Sequence, residues 1–298
     1  MKIGFIGVGN MGAPICRNLI REGHPVRVHD ISPAAVERMT ALGAEAAQSP
    51  RHLAEAAEVV FACLPTPAVA EEVLLGSGGV IEGARAGLTV ADFSTNGPAL
   101  ARMAAERLGE RGVDYLDCPV AGGVKGAEAA TLSVMAGGDA AAFERVLPLF
   151  RQLGRNVFHV GPSGAGCVFK ILNNMVRFCN MAASNDAFMI VARAGLDPAR
   201  FLEVLEQSSG GSAALDRMGR KVLKGDFGAD FALDLAYKDI GLALALGEET
   251  GVPLRFVGVL KELLLEARAQ GMGTDDVCAM VRVIERSLGT EIRSGNGG

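Results

Sequence analysis

The sequence predicts an α/β N-terminal domain built on a mainly parallel sheet, followed by an all-helical C-terminal domain. Three observations predict it. Short apolar runs alternate with helical stretches through the first half of the chain, which is the pattern of βαβ units. A glycine cluster, GVGNMG, follows the first such run and opens the first helical stretch. Beyond about residue 162, apolar positions recur at intervals of three and four rather than two. The boundary is therefore drawn between residues 1–162 and 163–298, and a helix from about 164 forms the joint.

Each element has a local reason. Residues 2–8 (KIGFIGV) are a continuous apolar run, as expected of a strand buried on both faces. A helix over 11–22 follows, then a second strand over 25–30 (PVRVHD). Ser32-Pro33 opens the next helix, with serine at the N-cap and proline in the first turn. Val59–Leu64 is a strand closed by Pro65, Thr89–Phe93 one followed by Ser94-Thr95, and Asp114–Cys118 one closed by Pro119. Leu132–Ala136 and Asn156–Val160 are further strands, and helices over 67–75, 97–111 and 139–153 lie between. The C-terminal part reads as helices over 164–195, 198–208, 212–223, 230–250, 253–269 and 274–288. Gly195 and Gly251 stop helices there, and Pro198 and Pro253 start the next ones. The tail RSGNGG is expected to fray.

Composition narrows the function classes. A chain of 298 residues fits about two domains, and 49% hydrophobic residues suffice for sizeable cores. The net charge of −5 argues against a basic nucleic-acid-binding face. The six cysteines are scattered without a CxxC pair, as expected of free thiols in a reducing cytoplasm. The four histidines show no metal-ligand spacing, so no metal is expected. The N-terminal apolar run is too short to span a bilayer, and no membrane partner is expected.

The turn Gly7-Val8-Gly9-Asn10-Met11-Gly12 is a G-x-G-x-x-G placed between a strand and a helix, the context in which that pattern binds a dinucleotide. Gly7 allows the tight turn, Gly9 lets the backbone approach the pyrophosphate, and Gly12 lets helix and strand pack closely. Asp30 ends the second strand 18 residues after Gly12, where a carboxylate accepts the ribose hydroxyls and repels a 2′-phosphate. No arginine follows at Ile31 or Ser32, so NAD is favoured over NADP. Lys170 and Asn174 share one face of a helix otherwise flanked by Phe169, Ile171, Val176 and Phe178. Hydride transfer at an alcohol needs a proton acceptor. No histidine lies in a glycine-framed loop, and neither Tyr115 nor Tyr237 has a lysine four residues on. Lys170 is thus the best remaining candidate.

Four ordered motifs carry a resemblance that covers about residues 2–290. They are GFIGVGNMGAPICRNLIREGHPVRVHD, the Asp117–Ala127 segment DCPVAGGVKGA, the segment GAGCVFKILNN, and Lys238-Asp239. The chain resembles the β-hydroxyacid dehydrogenases, which include 3-hydroxyisobutyrate dehydrogenase and tartronate semialdehyde reductase. The resemblance implies a Rossmann-type domain, a helical domain through which homodimers or homotetramers form, and NAD-dependent interconversion of a small β-hydroxy acid and its semialdehyde. Lys170 becomes the general acid/base and Asn174 the residue that orients substrate and lysine. Gly122 and Gly123 offer amides to the substrate carboxylate, with Ala121 beside them, and Lys238 lies at the nicotinamide and substrate end. Leu64, Pro65 and Thr95 border the cofactor, with Asn10 and Met11 near its nicotinamide side. The chain departs from the family pattern at Ala121 for a serine, Ala130 for a glycine, Cys167 for a glutamine and Arg255 for a proline. Two other readings remain open, an imine reductase of the same fold and a non-enzymatic NAD(P)-sensing protein.

Overall fold

Proline-led caps set the rhythm of the first 160 residues, seen here in a computed structural model that describes residues 1–293. The elements run β1 Ile3–Ile6, α1 Gly12–Arg21, β2 Val26–His29, α2 Pro33–Thr40, β3 Glu45–Ala46, α3 Pro50–Ala56, β4 Val59–Ala62, α4 Pro67–Leu75, α5 Val80–Gly83, β5 Thr89–Asp92 and α6 Pro98–Gly109. They continue β6 Asp114–Asp117, β7 Val120–Ala121, α7 Gly123–Glu128, β8 Leu132–Gly137, α8 Ala140–Leu153, β9 Gly154–Gly161 and α9 Ala165–Arg193. Then follow α10 Pro198–Glu206, α11 Ala213–Lys224, α12 Leu233–Thr250, α13 Arg255–Ala269, a 3-10 turn Val277–Met280, and α14 Val281–Leu288. Ser32, Ser49 and Thr66 each cap a helix whose next residue is proline, and each accepts the amide three residues on through its side-chain oxygen.

The chain divides into two compact units, one spanning Met1–Lys170 and one beginning at Ile171. The first is built on a single sheet in the order β3-β2-β1-β4-β5-β6-β8-β7, with β9 on β8. The pairs from β3 to β6 are parallel, β8 runs antiparallel to β6 and β7, and β9 is parallel to β8. This is the mainly parallel Rossmann-type sheet that the motif order predicts. Its central strands β1, β4 and β5 are buried on both faces, while the edge strands β3 and β9 are largely exposed, and alternate residues of the central strands feed two cores. Ile3, Phe5, Val59, Phe61 and Leu116 pack with α1 and α8 on one side. Ile6, Val60, Ala62, Val90 and Tyr115 pack with α3, α4 and α6 on the other. At about 1.5–3 kcal/mol for each large apolar side chain buried, these two layers carry most of the stability of the sheet.

The second unit is helical. Phe178, Phe188, Met218, Ile240, Leu264 and Met280 are buried within it. Asp276 pins the entry to α12, for its Oδ2 accepts the amides of Asp230 at 3.0 Å and Phe231 at 3.1 Å. That pinning delays the helix expected from 230 until Leu233. Pro253 does not start α13, which begins two residues later at Arg255 with no side-chain cap on Leu254. The segment expected as one helix over 274–288 is instead a 3-10 turn followed by α14, because Asp276 caps the turn through the Cys278 amide. The tail expected to fray lies, from residue 294 on, outside the described residues.

Ala130 explains one departure from the family pattern. It closes α7 in a Schellman arrangement, with Thr131 N–H donating to Gly126 O at 2.9 Å and Ala130 N–H to Ala127 O at 3.4 Å. The motif needs a left-handed residue, and Ala130 has φ 54°, the one positive φ outside glycine among the described residues. Left-handed alanine costs ~1–2 kcal/mol, and the extra freedom of a glycine in the unfolded chain returns ~0.4–1 of that. Ala130→Gly is therefore expected to stabilise the protein by about 0.5–1 kcal/mol in urea unfolding. A loss of stability would contradict this account.

Candidate active site

Strand register gathers the candidate residues of the first unit at one end of the sheet. Ile6 pairs with His29 and with Ala62, Ala62 with Asp92, and Asp92 with Asp117. The residues that follow these strand ends therefore lie along one edge. They include Gly7, Asp30, Leu64, Pro65 and Thr95. The strand order reverses between β1 and β4, and in open α/β sheets ligands bind beyond the carboxyl ends of strands at such a switch point.

The glycine turn fits a dinucleotide on three counts. Gly7 has φ 87°, and a Cβ there would strike Cys63 O. A Cβ on Gly12 would strike Gly7 O, so α1 can begin this close to β1 only with glycine. Gly9 differs, for a Cβ there would meet nothing within 4 Å, so its missing side chain leaves open room on the exposed turn. Among the described residues no side chain caps α1, and its first turn holds no acid. Ala13 N–H already donates to Gly9 O at 2.9 Å and Pro14 has no N–H, so the Gly12 amide is the one in the first turn left to an anion, with the positive end of the helix behind it. Asn10 is exposed and Met11 half-buried beside this turn. Asp30 Oδ2 accepts the Val8 amide and Oδ1 the Ser32 amide, both at 2.8 Å. These bonds fix the carboxylate and leave each oxygen a lone pair for a ribose hydroxyl.

Two buried carboxylates brace the same edge, and sequence reasoning gave neither a role. Asp92 Oδ1 accepts the Ser94 amide at 2.9 Å, and Oδ2 accepts Asn96 Nδ2 at 2.8 Å and the Tyr115 hydroxyl at 3.1 Å. Ser94 Oγ in turn accepts the Leu64 amide at 2.8 Å, so Asp92 holds both loops that carry Leu64 and Thr95. Burial pushes the Asp92 carboxyl up to about 6, against the lowering pull of its hydrogen bonds to Ser94 and Tyr115. Asp117 Oδ1 accepts the Gly164 amide at 2.7 Å and Oδ2 the Cys167 amide at 2.8 Å, which anchors the start of α9. Burial likewise raises Asp117, and it drives the buried Cys167 thiol well above its ordinary range.

Lys170 lies one turn into α9 and is only 7% exposed. Of the residues expected to flank it, Ile171 and Phe178 are buried, while Phe169 and Val176 are half-exposed. In the same unit, Ala121 ends β7, and Gly122 and Gly123 take φ 129° and 65° at the head of α7. The second unit gathers Asn174, Lys238 and Asp239. Asn174 is fully buried, and its Nδ2 donates to Asp239 Oδ2 at 2.6 Å. Lys238 Nζ lies 3.2 Å from Asp239 Oδ1. Asp239 thus fixes the Asn174 amide and holds Lys238, a role the motif Lys238-Asp239 did not reveal. Arg255 is exposed at the first position of α13. Among the described residues, no group of three or more His, Cys, Asp or Glu side chains could hold a metal ion, and no helix is long and apolar enough to cross a membrane.

Two family models match the chain. One, for the NAD-binding domain of 6-phosphogluconate dehydrogenase, matches residues 2–161. The other, for the NAD-binding of NADP-dependent 3-hydroxyisobutyrate dehydrogenase, matches residues 164–284. The chain belongs to the β-hydroxyacid dehydrogenase family. It is 39% identical over 296 residues to 2-(hydroxymethyl)glutarate dehydrogenase of Eubacterium barkeri, covering 99% of this chain and 98% of that one. It is 40% identical over 277 residues to 3-hydroxyisobutyrate dehydrogenase of Pseudomonas aeruginosa, covering 90% and 92%. A solved 3-hydroxyisobutyrate dehydrogenase of Mycobacterium tuberculosis superposes with a TM-score of 0.87 at 31% identity, covering 95% and 98%. Like these β-hydroxyacid dehydrogenases, the chain is an NAD(P)-dependent oxidoreductase of small hydroxy acids.

The raised Asp92 pKa makes a signed prediction. The folded chain holds this proton more tightly than the unfolded chain, so Asp92 favours folding most below pH ~4 and least above its folded value. As pH rises from ~4 through about 6, its contribution should fall by ~3 kcal/mol. Asp92→Asn cannot ionise. The unfolding free energy of wild type minus that of the variant, from urea titrations between pH 4 and 7, should drop accordingly. A pH-independent difference would remove Asp92 as the titrating group.

Proposed function

We propose that the enzyme oxidises the hydroxymethyl group of a small β-hydroxy acid to the semialdehyde, and runs the reverse reduction, with Lys170 as general acid/base. The observation that carries this reading is a buried lysine and a buried asparagine one turn apart on α9, the asparagine amide fixed by Asp239. NAD bound at the Gly7–Gly12 turn supplies the hydride acceptor. Lys170 takes the hydroxyl proton as the carbon gives up its hydride, leaving aldehyde, reduced cofactor and lysine ammonium; in reduction the ammonium returns that proton to the oxygen. Asn174 orients the substrate and the lysine.

The substrates named for the two relatives share a hydroxymethyl group next to the carbon that bears a carboxylate, and differ in the rest of the molecule. The proposed substrate keeps that shared portion. Its carboxylate is received by the amides of Gly122 and Gly123, with Lys238 supplying positive charge. Ala121 lacks the hydroxyl of the family serine, a charge-assisted bond worth ~1.5–3 kcal/mol. Leu64, Pro65, Thr95, Asn10 and Met11 border the cofactor. Asp30, followed by Ile31 and Ser32, supports NAD over NADP. We further propose that residues 1–162 bind the cofactor and 163–298 serve substrate binding and homo-oligomerisation. Six free cysteines support a cytoplasmic setting.

Two variants test these roles. Lys170→Met should slow both directions ~10²–10⁴-fold while cofactor affinity, read by fluorescence titration, stays near wild type. A variant with near-wild-type kcat removes Lys170 from the proton step. Asp30→Ala should raise KM for NAD and lower the ratio of kcat/KM for NAD over NADP by roughly tenfold or more, as expected for losing a charge-assisted bond. A wild-type enzyme that prefers NADP would reverse the reading of Asp30.

A further inference from the structure

Arg177 is an arginine without an anion. It lies three residues after Asn174 on α9 and seven after Lys170, so helical spacing puts the three side chains along one stripe. Its guanidinium sits over the rings of Phe178, at 5.2 Å, and Phe231, at 5.5 Å. Among the described residues it has no hydrogen-bond acceptor and no carboxylate within ion-pair distance. The charged groups around it are already engaged. Asp239 holds Asn174 and Lys238. Asp276 accepts the amides of Asp230 and Phe231 and lies 3.7 Å from Lys221, and Arg217 pairs with Asp230 at 2.9 Å. Burial works against the charge of Arg177, and the like charge of Arg217 adds to that, with Asp276 and Asp239 offsetting them in part.

A guanidinium carries five N–H donors and keeps its charge in proteins. Two aromatic rings can cover its faces, but they leave its edges without acceptors. A partly buried arginine in that state is costly for the chain alone, and a bidentate carboxylate satisfies it. Three residues from Asn174, the acceptor best placed to arrive is part of the substrate. We propose that Arg177 receives a second carboxylate on the substrate, so that the preferred hydroxy acid is a dicarboxylate, with the hydroxymethyl end at Lys170 and Asn174 and the distal carboxylate at Arg177. This rests on the proposed reading of Lys170 and Asn174 as the reacting end.

Two measurements on the full-length enzyme test it. In calorimetry with saturating NAD, glutarate should bind about tenfold tighter than butanoate, or ~1.4 kcal/mol. Arg177→Met should abolish that difference and Arg177→Lys retain part of it. In turnover, the ratio of kcat/KM for 2-(hydroxymethyl)glutarate over 3-hydroxyisobutyrate should fall about tenfold in Arg177→Met, mainly through KM. Equal binding of glutarate and butanoate by wild type, which needs no variant to fold, overturns the inference, as does an unmoved ratio in Arg177→Met. Oxidation of monocarboxylates without that discrimination sinks this inference and leaves the proposed function standing. Discrimination in binding without oxidation of any hydroxy acid supports Arg177 and sinks the proposed function.

Discussion

Asp92 and Asp117 end neighbouring parallel strands in register, and both carboxylates are buried. Burying a carboxylate disfavours its charged form, and burial raises both of these carboxyls. They persist because each satisfies backbone amides that would otherwise be stranded at the loop end of the sheet. Asp117 takes the amides of Gly164 and Cys167, and so sets where α9 starts and which way Lys170, three residues beyond Cys167, leaves the helix. Asp92 takes the Ser94 amide and, through Ser94, sets the loop that carries Leu64. The loops that carry Leu64 and Thr95 and the start of α9 are thereby fixed by one pair of acids.

The glycines divide by the same test of necessity. At Gly12 and Gly166 a Cβ would strike backbone oxygens, so packing alone demands glycine. At Gly9 it would meet nothing, and no positive φ requires the residue there either. What the protein itself does not demand, a ligand that comes close to the backbone can demand. The uncapped first turn of α1 stands against the hydroxyl-capped starts of α2, α3 and α4, and it points the same way.

Local signals made most of this fold legible. Ser32-Pro33 and Thr66-Pro67 mark helix starts because a hydroxyl cap and a fixed φ act within three residues. Ser49-Pro50 carries the same signal, but the seven residues of α3 bury only Leu53 and Ala54, too few to show a helical period. The helix α7, GVKGAE, has too few apolar side chains to show a period. The site divides similarly. The glycine turn, Asp30, and the pair Lys170 and Asn174 show themselves through short spacings. The duties of Asp117 and Asp239 do not, since Gly164, Cys167 and Asn174 lie 47, 50 and 65 residues from the carboxylates that hold them. Arg177 is visible in the sequence as a charge on the right stripe. Its lack of an acceptor emerges only once Asp239 and Asp276 are seen to be engaged elsewhere.

Under the proposed reading, Ala121 and Arg177 act on specificity in different ways. Without the hydroxyl of the family serine, the proposed carboxylate site at Gly122 and Gly123 loses one donor for every substrate that brings that carboxylate. An arginine at 177 would add affinity only for substrates that bring a second anion. Discrimination is a difference of affinities, so the loss at Ala121 leaves the preference between mono- and dicarboxylates where it was, and Arg177 alone would set it. That preference is separable from the proton step proposed for Lys170, which lies seven residues earlier on α9.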